Sequence, residues 1–131
     1  MIDLLRRRRL PVPPRSRGVT PWVHVEDAAA AVTAALERGQ AGGIYNVADD
    51  RAASLAEFAR RLAEAAGTPP PLPLPGFLIG LAAPYLKRLL VDTRLRLSNR
   101  RAKEELAWRP AYPSIAEGLP AVVRQLKGGS A

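Results

Sequence analysis

The sequence predicts an α/β lobe, and three stretches carry that prediction. Trp22-Val23-His24-Val25 is a short β-branched run, the signature of a strand. Ala28, Ala31, Val32, Ala35 and Leu36 follow at i, i+3, i+4, i+7 and i+8, one apolar face of a helix that Gly39 stops. Ile44-Tyr45-Asn46-Val47-Ala48 is a second β-rich run beyond Gly42 and Gly43, closed by Asp49 and Asp50. Strand, helix and strand within about thirty residues is the size of one βαβ unit, which packs its helix on a mostly parallel sheet. Glu26 or Asp27 is expected to cap the helix, where a carboxylate suits the positive end of the dipole.

The flanking elements follow from the same rules. Ile2, Leu4 and Leu5 give residues 1–9 the apolar side of a helix, and Arg6 to Arg9 suit its negative end. Leu10 to Pro14 must be extended, because each proline fixes its own φ and restricts its predecessor. Arg15 to Thr20 reads as a loop around Gly18. Ser54 and Glu57 form a capping box for a helix that turns Leu55, Phe58, Ala59, Leu62, Ala63 and Ala66 inward and stops at Gly67. Thr68 to Pro75 reads as a stiff proline-rich connector, with a PxxP ligand at Pro70 and Pro73 as the lesser alternative.

Phe77 to Val91 reads as a helix divided at Pro84, with Leu81, Tyr85, Leu89 and Leu90 in the core. Thr93 to Leu97 alternates basic and apolar residues, which predicts a short strand with one wet face. Ser98 is expected to cap a helix that Trp108-Arg109-Pro110 stops. Ser114 and Glu117 are a second capping box, although Gly118 and Pro120 weaken the first turns and move the expected start toward Pro120. Residues 1–127 are expected to form the lobe and residues 128–131 a disordered tail.

Composition narrows the function classes. The chain has 131 residues, 47% of them hydrophobic, enough to bury a small core. It has no Cys, which excludes a disulfide, a thiol nucleophile and a Cys-ligated metal. Its single His, His24, leaves one candidate base and no His-based zinc site. The basic start leads into prolines rather than an apolar signal segment, and the run Phe77 to Pro84 is too short to span a bilayer. A cytoplasmic protein with no membrane partner and no metal is expected.

The net charge of +8 is unevenly spread. Six arginines face one acid in residues 1–20, and seven basic residues face one acid in residues 77–103. Residues 21–76 between them carry four basic and seven acidic groups. Such blocks suit nucleic acid, an anionic substrate or a solvated surface. Few aromatics and no nucleic-acid motif make a small basic nucleic-acid-binding protein the alternative rather than the first reading.

Four stretches, in order, resemble one family. Val23 to Ala29 resembles the hydrophobic-His-Val-x-Asp-hydrophobic-Ala segment of extended short-chain dehydrogenases/reductases, the NAD-dependent epimerase/dehydratase family. Gly43 to Asp50 resembles that family's Gly-x-Tyr-Asn-Val strand and loop, and Ser54 to Ala66 the helix after it. Ser98 to Pro110, continued by Tyr112 to Leu119, is similar to its late Lys-Ala-x-x-Glu-Leu-Gly-Trp-x-Pro signature. The resemblance implies the small carboxy-terminal substrate domain, a mixed lobe of βαβ and helices without the Rossmann half. The sequence has no Gly-x-x-Gly-x-x-Gly to cradle a pyrophosphate. It has no Tyr-x-x-x-Lys either, since Asp49, Leu89 and Ala116 stand four places after Tyr45, Tyr85 and Tyr112.

The resemblance therefore implies a substrate-binding portion of an NAD(P)-dependent oxidoreductase, epimerase or dehydratase, with no catalytic and no cofactor-binding residue of its own. NAD or NADP would belong to the complete enzyme. Met1 is then an internal methionine of a longer enzyme, or the chain is a truncated product. Partners would be a small-molecule substrate, the missing amino-terminal half or a complete family member on which this chain docks, with self-association through the face left bare. Thr20 stands where nucleotide-sugar enzymes of the family carry Arg, which favours small carbonyl or hydroxyl substrates unless Arg15 or Arg17 substitutes.

The substrate-pocket candidates are Trp22, His24, Tyr85 and Arg94. Trp22 either lines the cleft or sits in the core. His24 is first a structural residue bonded to backbone at a strand–helix junction, and second a general base. Arg94, with Arg96, either faces an anionic substrate or lies on a solvated strand face. Glu26-Asp27 and Asp49-Asp50 read as capping and turn residues, because sequence neighbours do not face each other as a carboxylate pair must.

Overall fold

The computed structural model describes residues 1–13, 18–82, 84–86, 88 and 92–128. In chain order it holds α1 (Ile2–Arg6), β1 (Pro11–Val12), α2 (Val25–Arg38), α3 (Leu55–Ala66), β2 (Leu72–Pro73), α4 (Gly76–Ala82), α5 (Pro84–Leu86), α6 (Arg100–Glu105) and α7 (Ile115–Gly128). The mixed α/β lobe is as expected, but its β content is arranged differently. β1 and β2 pair in parallel, Pro11 opposite Leu72 and Val12 opposite Pro73. The donors are the amides of Leu72, to Leu10 O at 3.1 Å, and Leu74, to Val12 O at 3.1 Å. The prolines thus fall where no N–H is required, which lets two proline-rich connectors pair.

The two runs read as strands of a βαβ unit are extended without a ladder. One bond, Asp49 N–H to Trp22 O at 2.6 Å, ties the first to the end of the second. Their remaining backbone has no neighbouring strand among the described residues, and a strand needs one. Thr93 to Leu97 likewise contributes only a bridge, Arg94 to Val19, with Thr93 O and Leu95 N–H bonded to Val19.

Helix ends follow the capping chemistry, with three corrections. His24, rather than Glu26 or Asp27, caps α2: its Nδ1 accepts from Glu26 N–H at 3.3 Å. Ser54 caps α3 as expected, accepting from Glu57 N–H at 3.1 Å, and Gly67 ends it in the left-handed conformation at φ 64°. α7 starts at Ile115 and not near Pro120. Glu117 and Gly118 N–H both bond Ser114 O, so the first turn closes before the proline. Asn99, and not Ser98, stands at the N-cap of α6, which begins at Arg100, although Ser98 Oγ accepts from Arg100 N–H at 3.4 Å. α7 also runs through Gly128, one residue into the expected tail; residues 129–131 lie outside those described.

Two apolar clusters hold the lobe. One joins Leu5 of α1, Leu62, Ala63 and Ala66 of α3, and Ile115, Leu119 and Val123 of α7. The other joins Ala31 and Ala34 of α2 to Ala102, Leu106 and Trp108. The α3 face is the one its spacing predicts. The α2 face is rotated: Asp27, Ala31 and Ala34 are buried, while Val32 and Leu36 are 62% and 85% exposed. Leu81 and Tyr85 were expected in the core, but both are exposed, on two short helices divided at Pro84. Leu89 and Leu90 lie outside the described residues, as do Arg15 and Arg17. No helix among the described residues is long and apolar enough to cross a membrane.

Candidate substrate cleft

The family-like stretches meet one another. Asp27, in the first turn of α2, is buried, and its carboxylate accepts from Ala111 N–H at 2.7 Å and Tyr112 N–H at 3.0 Å. Its carbonyl accepts from the Trp108 indole N–H at 3.1 Å. Tyr45 Oη donates to Glu105 at 2.9 Å and accepts from Gln40 N–H at 3.1 Å. Asn99 Nδ2 donates to Ala48 O at 2.8 Å and to Asp50 at 2.7 Å. These motif residues clamp extended backbone and helix ends to each other, a structural duty that leaves them no free donor for a ligand.

Above this frame lies a cleft of about 610 Å³. Trp22, Phe58, Leu62, Leu119, Val122 and Leu126 form much of its wall. Trp22 resolves its two readings by doing both. Its ring stacks on Phe58 with centroids 3.9 Å apart and planes 12° apart, its N–H bonds Ala53 O at 3.1 Å, and it lines the cleft. His24 also lines the cleft, only 6% exposed, with Tyr112 tilted against its ring at 4.2 Å. Gly118 of α7 also lines the cleft beside the His24 ring, and a Cβ there would make ordinary contact with that ring at 3.4 Å.

Asp49, read from sequence only as a turn residue, is the second titratable side chain in the lining. It is 8% exposed, and its pKa is pushed up to about 6, chiefly by burial and then by the charges of Asp27, Asp50 and Glu117, against the pull of the His24 backbone N–H. Asp50 next to it goes the opposite way: hydrogen bonds from Asn99 and Lys103 hold its carboxyl below the usual range. The paired acids in the sequence were the available signal for Asp49, but only folding separates a buried carboxyl from a clamped one.

The other candidates lie elsewhere. Tyr85 is 75% exposed and Arg94 is exposed in its bridge to Val19; neither lines the cleft. No group of three or more His, Asp or Glu residues among the described ones could hold a metal. Among the described residues, the cleft lining does not fit a dinucleotide. The cleft lining holds no Lys or Arg for a pyrophosphate. The first turn of α2 carries Glu26 and Asp27, and that of α3 Glu57, charges that repel an anion.

No known family model matches the chain. Individual proteins do. It is similar to the 3-diazoavenalumate denitrifying reductase of a Streptomyces species, 36% identical over 85% of this chain and 36% of that protein. It is 30% identical to the dTDP-glucose 4,6-dehydratase of Streptomyces griseus, over 92% of this chain and 34% of that one. The solved structure of human epimerase family protein SDR39U1 with NADPH shares the fold at TM-score 0.78 and 22% identity, over 95% of this chain and 42% of that one. The chain thus spans about a third of the length of the curated relatives it matches. On ordered motifs, sequence similarity and fold together, it belongs to the extended short-chain dehydrogenase/reductase family.

Proposed function

We propose that this chain is the substrate-binding portion of an NAD(P)-dependent oxidoreductase, and that it catalyses nothing by itself. The observation that carries this reading is the cleft at Trp22, His24 and Asp49: a roomy apolar hollow with two buried titratable groups and no cation. Such a cleft suits a small uncharged carbonyl or hydroxyl compound better than a nucleotide sugar, whose diphosphate needs Arg or Lys. Redox chemistry would come from a dinucleotide held by the other part of the enzyme, while this chain binds and orients the substrate and excludes water around it.

A second reading has its own observation. Val25, Val32 and Leu36 of α2 and Ile44 beyond it are all exposed. A bare stripe of this kind suits contact with the cofactor-binding half or with a complete family member. The test of the first reading is a fluorescence titration of NADPH with the 131-residue chain. No saturable binding at micromolar concentration is expected; saturable binding would contradict the division of labour.

A further inference from the structure

A second bare surface lies on α4 and α5, which pack on each other. Phe77 and Leu81, one helical turn apart on α4, are 71% and 85% exposed, and Tyr85 on α5 is 75% exposed. Leu78, next to Phe77 in the chain, is exposed as well. No described element covers Phe77, Leu81 or Tyr85. Scattered apolar residues on a surface need no explanation, but several large ones left bare in one short stretch mark a contact surface.

Charge selects the partner. Residues 77–97 carry Lys87, Arg88, Arg94 and Arg96 against one acid, Asp92. Arg88, Arg94 and Arg96 are exposed, as are Leu95 and Leu97. Thr93 N–H and Oγ1 both bond Arg88 O, at 3.0 and 2.6 Å, which holds the run from Arg94 to Leu97 close to the end of this segment. The basic residues farther along are engaged: Arg100 faces Glu104, Arg101 faces Glu105, and Lys103 bonds Asp50. The other bare apolar face, on α2, has no such excess, since that helix carries Glu26, Asp27 and Glu37 against Arg38 alone. A second copy of this chain would set one basic patch against another, which is repulsive; an anionic surface complements it.

Length and residue type narrow that surface further. α4 has seven residues, about 10 Å of helix, against about 30 Å of hydrocarbon in a bilayer. That forbids a span and permits a segment lying in the headgroup layer, so the expected lack of a membrane partner holds for crossing alone. Phe, Leu and Tyr beside Arg and Lys is the composition such a layer takes. The apolar side chains enter the acyl boundary, the Tyr hydroxyl stays wet, and the cations meet lipid phosphates and carboxylates.

We propose that α4 and α5 dock this lobe on the surface of a membrane rich in anionic lipid, with Phe77, Leu81 and Tyr85 inserted and Arg88 and Arg96 at the headgroups. Docking here is independent of what the cleft binds, since none of these residues lines it.

The test is flotation of the 131-residue chain with vesicles of phosphatidylcholine alone and with vesicles of about one-third phosphatidylserine. Binding to the anionic vesicles is expected to be about tenfold tighter, and added salt should weaken it. Phe77→Ser with Leu81→Ser should abolish flotation; both side chains are exposed, so the fold, read by circular dichroism, should not change. Arg88→Gln with Arg96→Gln should lower the preference for phosphatidylserine about tenfold. Val32→Ser with Leu36→Ser, a matching change on the bare face of α2, should leave flotation as it is. No flotation with the anionic vesicles, or equal flotation with neutral ones, would overturn the proposal, as would loss of flotation in the α2 variant. Dimers in sedimentation velocity that the Phe77 and Leu81 changes dissolve would make the occupant a second copy and overturn it too.

Discussion

α2 and α3 are near-equal helices with opposite fates. Each has a capped start and a glycine at its end. α3 buries Ala59, Leu62, Ala63 and Ala66 against α7, and the stripe its sequence displays is the stripe the fold uses. α2 buries Asp27, Ala31 and Ala34 and turns its largest aliphatics, Val32 and Leu36, to solvent. The difference is one of partners. Elements of this chain cover the apolar face of α3, whereas no described element covers Val32 and Leu36 of α2. Apolar spacing reports that a helix has a face, and sometimes two; it does not report which neighbour is present.

The sharpest way to break the comparison is at Asp27, the polar anchor of α2's inner face. Asp27→Ala strands the amides of Ala111 and Tyr112 and should cost about 2–4 kcal/mol, read from urea unfolding. Leu62→Ala should cost about 2–4 kcal/mol in the same assay, through lost transfer energy and a cavity. Leu36→Ala, on the bare face of α2, should stay within about 0.5 kcal/mol. Equal costs at Leu62 and Leu36 would erase the distinction between the two helices. Ser54→Ala should remove the α3 cap for about 1 kcal/mol.

Asp49 supplies a pH test. Its folded pKa, about 6, lies above the ordinary 3.8, so the folded state holds the proton more tightly than the unfolded chain. Its contribution to stability is present below the unfolded value and is lost as pH rises through about 6. Asp50, held low by Asn99 and Lys103, contributes in the reverse sense, and its stabilisation is lost as pH falls. His24, Asp27, Asp50 and Glu117 remain in both proteins, so comparing the parent with Asp49→Asn isolates the first effect. The variant should gain stability relative to the parent between pH 4 and pH 7, measured by thermal unfolding across that range.

Local chemistry was the legible part of the sequence. The Ser54 cap, the Gly67 stop and the α3 face are written in residues within a few positions of one another. The four family-like stretches were legible as well, although their mutual clamping through Asp27, Tyr45 and Asn99 was not, because it spans 49 to 85 positions of chain. The strands at Trp22 and Ile44 were misread because β-branched composition signals an extended segment, while pairing depends on a neighbour. Trp22 and His24, singled out within their motif, line the cleft, as does Asp49, whose distinction from Asp50 is a matter of burial; Tyr85 and Arg94 do not line it.

The most direct test is hydrogen exchange on a chimera in which this chain replaces the matching third of the Streptomyces reductase. If the chain is the substrate-binding portion of such an enzyme, amides of α2 and of residues 44–48 should exchange markedly more slowly in the chimera than in the isolated chain. Those of α3 and α7 should be protected alike in both. Unchanged exchange at α2 and residues 44–48, in a folded chimera, would contradict the account.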